Sequence, residues 1–220
     1  MLEEKNDLSQ YKHPAVAVDV ILFTIKNNIL KIGLIRREEA PYLNHYALPG
    51  RFVRYDEPIE ETAKIALKSK GNINPEAVFL EQLYTFGQDL NRDTRIRTIS
   101  VVYYGLIDSG KIDILQGNKF HWFSVYDLPE LAFDHKLIID SAVKSLRKKV
   151  LESDFAFQLL PEEFTLSELQ KAYETILGEE LDKRNFRKKI LENNFIKALK
   201  KKRREGLHRP AELYWFKRKN

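Results

Sequence analysis

Two apolar stretches near the start of the chain alternate in the manner of β-strands. They are AVAVDVILFTIK and ILKIGLIRR, and only Asn27 and Asn28 separate them. Two strand-like stretches joined by two residues that tolerate a left-handed backbone are typical of a β-hairpin. The pattern therefore predicts that a hairpin opens the fold.

Further strands and two helices follow this hairpin. AVFLEQLYTFG, RIRTISVVYYGLID and FHWFSV are rich in Val, Ile, Tyr and Phe, which favours strands. PIEETAKIALKSKG has apolar residues at helical spacing, with Pro58 at the first helical position and Gly71 just past the end. In LIIDSAVKSLRKKVLE an apolar stripe follows Asp134-His135, which we interpret as an N-cap and a first-turn histidine rather than a catalytic pair. This helix closes a predicted first domain, residues 1–154.

A second domain is predicted over residues 155–220. Helical periodicity is lost in 152–164, around Pro161, so we place a linker there. Thr165 and Glu168 then form a capping box, and Asp182 caps the next helix. FIKAL and AELYWFK are predicted strands that flank the loop KKKRREGLHRP. Helix, turn, helix and basic hairpin is the plan of a winged helix-turn-helix.

The positive charge of the chain is concentrated at its C-terminal end. The 220 residues carry a net charge of +5, but residues 1–154 have a net charge of −1. Residues 183–220 contain 15 basic and 3 acidic residues, a net charge of +12. An isolated basic run is more often a solvated hairpin tip, but this one adjoins a helix of the same sign. The distribution therefore indicates a polyanionic partner.

Duplex DNA is favoured over RNA as that partner. The second domain has no aromatic RNA-binding string, and Tyr214, Trp215 and Phe216 are interpreted as core of the wing strands. Arg184 and Asn185 lie near the start of the second helix, where side chains reach base edges, while lysines and other arginines contact phosphates. The candidate DNA-binding residues are Arg184, Asn185, Arg187, Lys188, Lys200, Lys201, Lys202, Arg203, Arg204, His208 and Arg209.

Composition excludes several other classes of function. The chain has no cysteine, so disulfides, thiolate catalysis and cysteine-ligated zinc are excluded. The histidines show no metal-binding spacing, and neither a metal nor a cofactor is predicted. The stretch AVAVDVILF is interrupted by Asp19 and is too short to span a bilayer. We therefore expect a cytoplasmic protein without membrane segments.

The segment ALPGRFVRYDEPIEETAKIALKSKGNI resembles a Nudix box. In that motif, glutamates one helical turn apart hold Mg²⁺ against a diphosphate. Glu57 matches the first glutamate, but Ala66, Ser69 and Lys70 stand where the helix would supply metal ligands. Glu60 and Glu61 fall about 120–140° away around the helix, so they do not replace them. Hydrolysis is therefore not expected as the main function.

Such a domain can keep a ligand pocket after losing its metal ligands. Charged residues near the ends of predicted strands are suited to phosphates and sugar hydroxyls, and two aromatic residues are suited to stacking on a base or sugar. For each charged residue, the alternative to a ligand contact is an ordinary surface salt bridge. For the two aromatic residues, the alternative to stacking on a ligand is packing in the core. The candidate effector-binding residues are Arg37, Tyr46, Arg54, Glu57, Phe86, Arg92 and Arg95.

Taken from Ala15 to Phe216, the chain resembles the NrtR family of Nudix-related transcriptional regulators. The resemblance rests on the order and spacing of LPGRFVRYDE, FGQDLNRDTRIRTISVVYYGLI, LPELAFDH, FTLSELQKAYETILG, NFRKKI and RPAELY. It implies an α+β fold, in which a Nudix-like α/β/α sandwich with a mixed sheet precedes a winged helix. It also implies a homodimer that binds a palindromic operator and releases it when an effector, ADP-ribose or a pentose, occupies the first domain. Arg51 stands where the family usually has glycine, so it either blocks or builds the pocket.

Three functions from different classes remain open on the sequence. The first is an effector-controlled DNA-binding regulator, most simply a repressor. The second is a residual Nudix-type hydrolase of a nucleoside diphosphate derivative, against which the lost glutamates argue. The third is a protein-binding scaffold with an incidental basic tail, against which the two capped helices beside that tail argue.

Overall fold

A mixed β-sheet organises the first part of the molecule. The computed structural model describes residues 11–114, 119–193, 195–204 and 210–217. The central strand β1 pairs in parallel with β6 on one side, and on the other side antiparallel with β2 and β4 in succession. The remaining strands flank β2 and β6. The strands are β1 (Ala15–Lys26), β2 (Ile29–Arg36), β3 (Tyr46–Ala47), β4 (Gly50–Phe52), β5 (Phe79–Phe86), β6 (Thr98–Leu106) and β7 (His121–Ser124).

Helices cover both faces of this sheet, as expected for an α/β/α sandwich. They are α1 (Ile59–Gly71), the short α2 (Ser109–Ile114) and α3 (His135–Glu152). Successive strand residues point to opposite faces, so Val18, Val20 and Leu22 pack on the side of α1, whereas Ile21 and Phe23 pack on the side of α3. Because both faces of the sheet are covered, the residues that point to either face are apolar, and β1 is therefore apolar at nearly every position.

The predicted hairpin between β1 and β2 is confirmed. Asn27 and Asn28 have φ angles of 55° and 56°. Two consecutive left-handed residues define the turn whose twist matches that of the flanking strands. Asparagine tolerates this backbone better than most residues do, so the local sequence alone was sufficient to locate the turn.

The ends of α1 differ slightly from the prediction. Pro58 is the N-cap rather than the first helical residue, and Gly71 is the last helical residue rather than the one beyond it. The left-handed residue is Asn72, with a φ of 54°. Gly71 is required for another reason, because a Cβ there would lie 2.0 Å from the Phe120 ring. Packing, not helix termination, explains this glycine.

Asp134 precedes α3 but does not cap it as predicted. Its carboxylate makes no hydrogen bond to the first turn of the helix. Instead it accepts two 2.8 Å hydrogen bonds from Arg92, which lies 42 residues earlier in the chain. A capping prediction considers only local competitors, whereas here a distant guanidinium binds the carboxylate.

The predicted linker is part of the hydrophobic core. A short 3₁₀ helix, Phe155–Leu159, lies within residues 152–164, and Phe155, Ala156, Phe157 and Leu159 are buried. Phe155 contacts the Phe79 and Tyr104 rings of the sheet edge-on, and Phe157 stacks on Phe216 with 4.7 Å between ring centroids. The sequence pattern predicts a linker here because these four apolar residues follow neither the helix nor the strand period. It joins the sheet to the C-terminal elements through continuous packing.

The C-terminal elements form a winged helix. They are β8 (Glu163–Thr165), α4 (Leu166–Leu177), α5 (Lys183–Glu192), β9 (Ile196–Arg203) and β10 (Ala211–Phe216). Thr165 and Glu168 form the predicted capping box, Gly178 ends α4 with a φ of 79°, and the Asp182 side chain caps α5. In the part of the chain that the structure describes, no helix is long and apolar enough to cross a membrane.

Two details of the wing differ from the prediction. β9 continues through Lys200–Arg203, which were assigned to the loop, because β10 pairs with it as far as Arg203. Trp215 is 41% exposed and is therefore not a core residue, whereas Phe216 packs on Phe157.

Candidate ligand cavity and nucleic-acid interface

A cavity of about 680 Å³ opens between the sheet, the loop after β2, the end of α1 and the start of α3. Its size is that of an ordinary small-molecule site. Charged side chains dominate the lining, with seven Lys or Arg against four Asp or Glu. These are Arg36, Arg37, Arg51, Lys70, Arg92, Arg95 and Lys119, and Asp19, Glu38, Glu39 and Asp93.

The cavity has a buried polar network at Asp19. The Ser100 hydroxyl donates a 2.5 Å hydrogen bond to one Asp19 oxygen, and Arg92 lies 3.9 Å from the same oxygen. Arg92 is itself held by Asp134 at the start of α3. A Cβ on Gly50 would lie 2.2 Å from Asp19, so only glycine fits there. Such a network fixes its members because a buried charge without a partner is costly.

His135, the first residue of α3, is also part of this network. The backbone N–H of Leu48 donates a 3.0 Å hydrogen bond to His135 Nδ1, so that nitrogen carries no proton. Nε2 lies 3.9 Å from Asp19. Burial lowers the pKa of His135 below its ordinary value despite the nearby carboxylate. The imidazole is therefore neutral at physiological pH, and its position is fixed from both sides.

Guanidinium groups lie over aromatic rings at the cavity wall. Arg37 and Arg95 lie 4.9 and 5.3 Å from the centroid of the Phe133 ring, and Arg95 lies 5.3 Å from that of Phe52. Asp93 accepts two hydrogen bonds from the Arg95 side chain. Burial, together with repulsion from Arg95, lowers the pKa of Arg37, which still remains a cation. Two cations placed in this way are suited to a planar or polyanionic ligand.

The helix of the Nudix-like segment presents no carboxylates to the cavity. Ala66 is buried, and Ser69 and Lys70 line the cavity instead. Glu60 and Glu61 pair with Lys64 away from the cavity, as their angular position on the helix predicted. Arg51 lines the cavity and forms a 3.2 Å ion pair with Glu57, so it builds the wall at this point.

The structure brings together three of the seven predicted effector-binding residues. Arg37, Arg92 and Arg95 line the cavity. The other four do not: Tyr46 packs edge-on against His121 and Phe123, Phe86 against Tyr84, Arg54 is exposed outside the cavity, and Glu57 pairs with Arg51. Whether these four residues line the cavity depends on the direction of their side chains in the folded protein, which the sequence does not reveal.

Sequence reasoning missed other residues that line the cavity. Among them are Asp19, Phe133 and His135. A signal existed for all three, because an aspartate inside the most apolar strand and a Phe-Asp-His string before a helix are both unusual. On local pattern alone, the first indicates a break in an apolar run, and the second indicates the start of a helix.

The predicted nucleic-acid interface divides into exposed and paired residues. Arg184 and Lys188 lie on α5 opposite the buried Phe186 and Ile190, and both are exposed. Lys200, Lys202 and Arg204 are exposed in the wing, whereas Lys201 pairs with Glu163 and Arg203 with Glu168. Arg187 is half-buried and donates to Ser167 at 3.4 Å. The Asn185 backbone donates to the Asp182 cap, and His208 and Arg209 lie outside the described residues.

Comparisons with known proteins show a family in which a Nudix-like domain and a winged helix occur in one chain. Residues 156–216 match the NrtR DNA-binding winged helix domain. The chain is 32% identical over 214 residues to the ADPR responsive transcriptional repressor NtrR of Acinetobacter baylyi, covering 94% of this chain and 84% of that protein. The chain belongs to the NrtR family. Both its order of domains and its fold agree with this membership.

A solved NrtR structure and an enzyme are also similar to this NrtR family member. Shewanella oneidensis NrtR complexed with a 27mer DNA superposes with a TM-score of 0.80 at 33% identity, over 92% of this chain and 93% of that one. Its NUDIX domain complexed with ADP ribose gives 0.55 at 30% identity, over 66% and 99%. The ADP-ribose pyrophosphatase of Methanocaldococcus jannaschii is 36% identical over 140 residues, 62% of this chain and 79% of that protein.

Proposed function

We propose that this NrtR family member is a transcriptional repressor that releases its operator when an ADP-ribose-like ligand occupies the cavity. The observation that carries the proposal is a cation-rich cavity without clustered metal-binding carboxylates, in a chain that also carries a winged helix with an exposed basic face. Residues 1–154 then sense the ligand and residues 155–220 bind DNA, with the boundary inside the packed segment 152–164.

On the DNA side, α5 enters the major groove and the wing contacts the backbone. Arg184 and Asn185 are assigned to base edges, and Lys188, Lys200, Lys202 and Arg204 to phosphates. A homodimer on a palindromic operator places two such helices about 34–36 Å apart on one face of the duplex. The DNA complex of the similar Shewanella protein supports this use of the winged helix.

On the ligand side, a diphosphate matches the charge of the cavity. Arg92, Arg95 and Arg51 are already paired with Asp134, Asp93 and Glu57. The other cations of the lining have no ion pair with a described residue and are the ones that a phosphate adds to most readily. They are Arg36, Arg37, Lys70 and Lys119. The ADP-ribose complex of the Shewanella NUDIX domain supports this ligand class over a simple pentose.

The second candidate is hydrolysis of the same ligand. The 36% identity to an ADP-ribose pyrophosphatase favours it. We infer that the chain binds without hydrolysing, because Ser69 and Lys70 occupy the metal-binding positions and Lys70 would repel Mg²⁺. No group of three or more potential ligands for a metal ion occurs in the described part of the chain.

Fluorescence anisotropy with a labelled duplex from the upstream region of the gene tests both candidates. ADP-ribose is expected to release the duplex equally with Mg²⁺ and with EDTA, while ribose 5-phosphate releases little. Chromatography of the same samples is expected to show intact ADP-ribose. Release that depends on Mg²⁺ and coincides with AMP formation would instead establish the hydrolase, and a protein that binds no duplex would refute the repressor.

A further inference from the structure

Two polar atoms in the wall of the ligand cavity face each other without forming a hydrogen bond. They are Nε2 of His135, at the start of α3, and Oδ1 of Asp19, on the central strand β1, and both residues line the cavity. The two atoms are 3.9 Å apart, which is too far for a hydrogen bond between them. A ligand atom that hydrogen-bonds to both can therefore bridge the gap.

The His135 side of this gap is a hydrogen-bond donor. The other ring nitrogen, Nδ1, accepts a 3.0 Å hydrogen bond from the backbone N–H of Leu48, so the proton of the neutral imidazole is on Nε2. Only 6% of the His135 side chain is exposed, and the Phe133 ring packs beside it with 5.4 Å between the ring centroids. The imidazole is thus held in place with its N–H group on the side of Asp19.

The Asp19 side of the gap is a hydrogen-bond acceptor. The Ser100 hydroxyl donates a 2.5 Å hydrogen bond to the other carboxylate oxygen, Oδ2, and Arg92 also lies on the side of Oδ2, at 3.9 Å. At Oδ1, a Cβ on Gly50 would lie only 2.2 Å away, so only glycine at that position leaves the oxygen clear of a side chain. Oδ1 is therefore the oxygen that can accept a hydrogen bond from a ligand.

A donor and an acceptor placed in this way select the ligand group between them. A phosphate oxygen accepts from the Nε2–H group but is repelled by the Asp19 carboxylate, whereas an ammonium group donates to Asp19 but cannot accept from His135. A hydroxyl does both with one oxygen. At about 2.8 Å from each atom, the usual length of such bonds, that oxygen spans a gap of this width. A water molecule can bond in the same way, so a ligand hydroxyl takes the place of a bridging water.

We propose that Asp19 and His135 form a hydroxyl-binding pair that recognises one ribose hydroxyl of the ligand. This role rests on the proposed function, because it takes ADP-ribose as the ligand and adds the contact that selects its sugar. ADP-ribose contains an adenosine ribose and a terminal ribose, and both carry hydroxyls. A ligand without the bridging hydroxyl leaves a buried donor and a buried acceptor unpaired in the wall of the cavity, which costs affinity.

Analogues of ADP-ribose that each lack one ribose hydroxyl test the proposal. Each is titrated calorimetrically into the full chain without DNA. The analogue that lacks the bridging hydroxyl should bind about 10- to 100-fold more weakly than ADP-ribose, because a hydrogen bond to a charged carboxylate is lost. The sensitive analogue also identifies the sugar, since its missing hydroxyl belongs either to the adenosine ribose or to the terminal ribose.

Two variants connect the sensitive hydroxyl with the pair. His135→Asn keeps an acceptor for the Leu48 N–H but removes the Nε2–H group, and Asp19→Asn replaces the charged carboxylate with an amide of the same shape. Each should weaken ADP-ribose about tenfold and the sensitive analogue less than about twofold, because the analogue has already lost the same contact. His45→Asn is the matched control, because His45 lies outside the cavity. Urea denaturation establishes that the variants are folded.

Three outcomes would overturn the proposal. If every analogue binds within about twofold of ADP-ribose, the pair holds a water molecule instead of a sugar hydroxyl. If both variants weaken ADP-ribose and all analogues by the same factor, Asp19 and His135 only shape the cavity. If ADP-ribose does not bind at all, the pair and the proposed function both fail. Binding with the expected discrimination but without release of the operator would support the pair and refute only the proposed function.

Discussion

At the scale of single residues, the ligand cavity depends on groups whose positions are fixed by partners distant in sequence. Arg92 is held by Asp134, Asp19 by Ser100, and His135 by the backbone of Leu48. In each of these interactions the two partners lie more than 40 residues apart in the chain. Replacing one partner is therefore expected to change the shape of the cavity even if that partner makes no contact with a ligand. The residues with the clearest functional tests are therefore Arg95, which is 44% exposed at the wall, and His135, which is buried.

Replacing Arg95 separates ligand binding from DNA binding. Arg95→Ala removes a guanidinium that lies over Phe133 and Phe52, so ADP-ribose affinity should fall by about 10- to 100-fold, equivalent to about 1.4–2.8 kcal/mol. Isothermal titration calorimetry measures this loss, and anisotropy should show an unchanged operator affinity. Arg54→Ala is the matched control, because Arg54 is an exposed arginine outside the cavity. Equal effects of the two variants would place the ligand elsewhere.

Replacing His135 tests its neutrality. The unfolded chain protonates this histidine below a pH of about 6.5, whereas the folded chain, with its lowered pKa, resists protonation until a lower pH. The unfolded state then binds more protons, so the free energy of unfolding should fall as the pH drops below about 6.5, by up to about 1.4 kcal/mol per pH unit.

His135→Asn keeps an acceptor for the Leu48 N–H but does not titrate, so urea denaturation of this variant should show a weaker dependence on pH between about 5 and 6.5. Identical slopes for the two proteins would mean that His135 is charged or exposed in the folded state.

At the scale of elements, α3 links the two proposed sites. Its first residue belongs to the Asp19 network, and near its other end Arg147 donates hydrogen bonds to the Ile176 carbonyl of α4 and to the Tyr126 hydroxyl. The buried 3₁₀ helix then continues this packing to the wing through Phe157 and Phe216. We therefore expect a displacement at the start of α3 to be transmitted to the winged helix through packed groups rather than through a flexible connection.

The elements α5 and β9 are expected to divide the work of DNA recognition. Arg184→Ala should cost about 1–3 kcal/mol on the operator and less on random duplex, because only base contacts discriminate between sequences. Lys202→Ala should weaken both duplexes alike, because phosphate contacts carry no sequence information. Competition anisotropy with operator and random DNA measures both ratios. The assignment fails if Arg184→Ala weakens the two duplexes equally.

At the scale of the whole molecule, the proposed function requires ligand and operator to be coupled through one conformational equilibrium. If ADP-ribose weakens operator binding about 5–150-fold, the operator must weaken ADP-ribose binding by the same factor. With about 6–10 phosphate contacts per dimer, operator affinity should also fall by about 10³–10⁵ between about 50 and 200 mM salt.

Calorimetric titration of ADP-ribose into the protein, alone and saturated with operator, checks the reciprocity. Salt titrations of the original protein and of the Lys202→Ala variant check the electrostatic contribution. The slope of log affinity against log salt should become shallower by about two, because each homodimer loses two phosphate contacts. If the two coupling factors differ, the protein must have a third state. If operator affinity does not depend on salt, phosphates are not the main contacts of the protein with DNA.

The sequence by itself determined the features that depend on near neighbours in the chain. The Asn27-Asn28 turn, the Thr165–Glu168 capping box, the basic face of α5 and the loss of carboxylates at Ser69 and Lys70 were all predictable, because backbone preference, capping and residue type act within a few positions. Tertiary structure alone decided the rest. Asp134 binds Arg92 instead of capping α3, Phe155–Leu159 is core instead of linker, and Phe133 and His135 line the cavity while Tyr46 and Phe86 do not. These outcomes depend on which distant group is nearest in space, a distance that periodicity and composition do not encode.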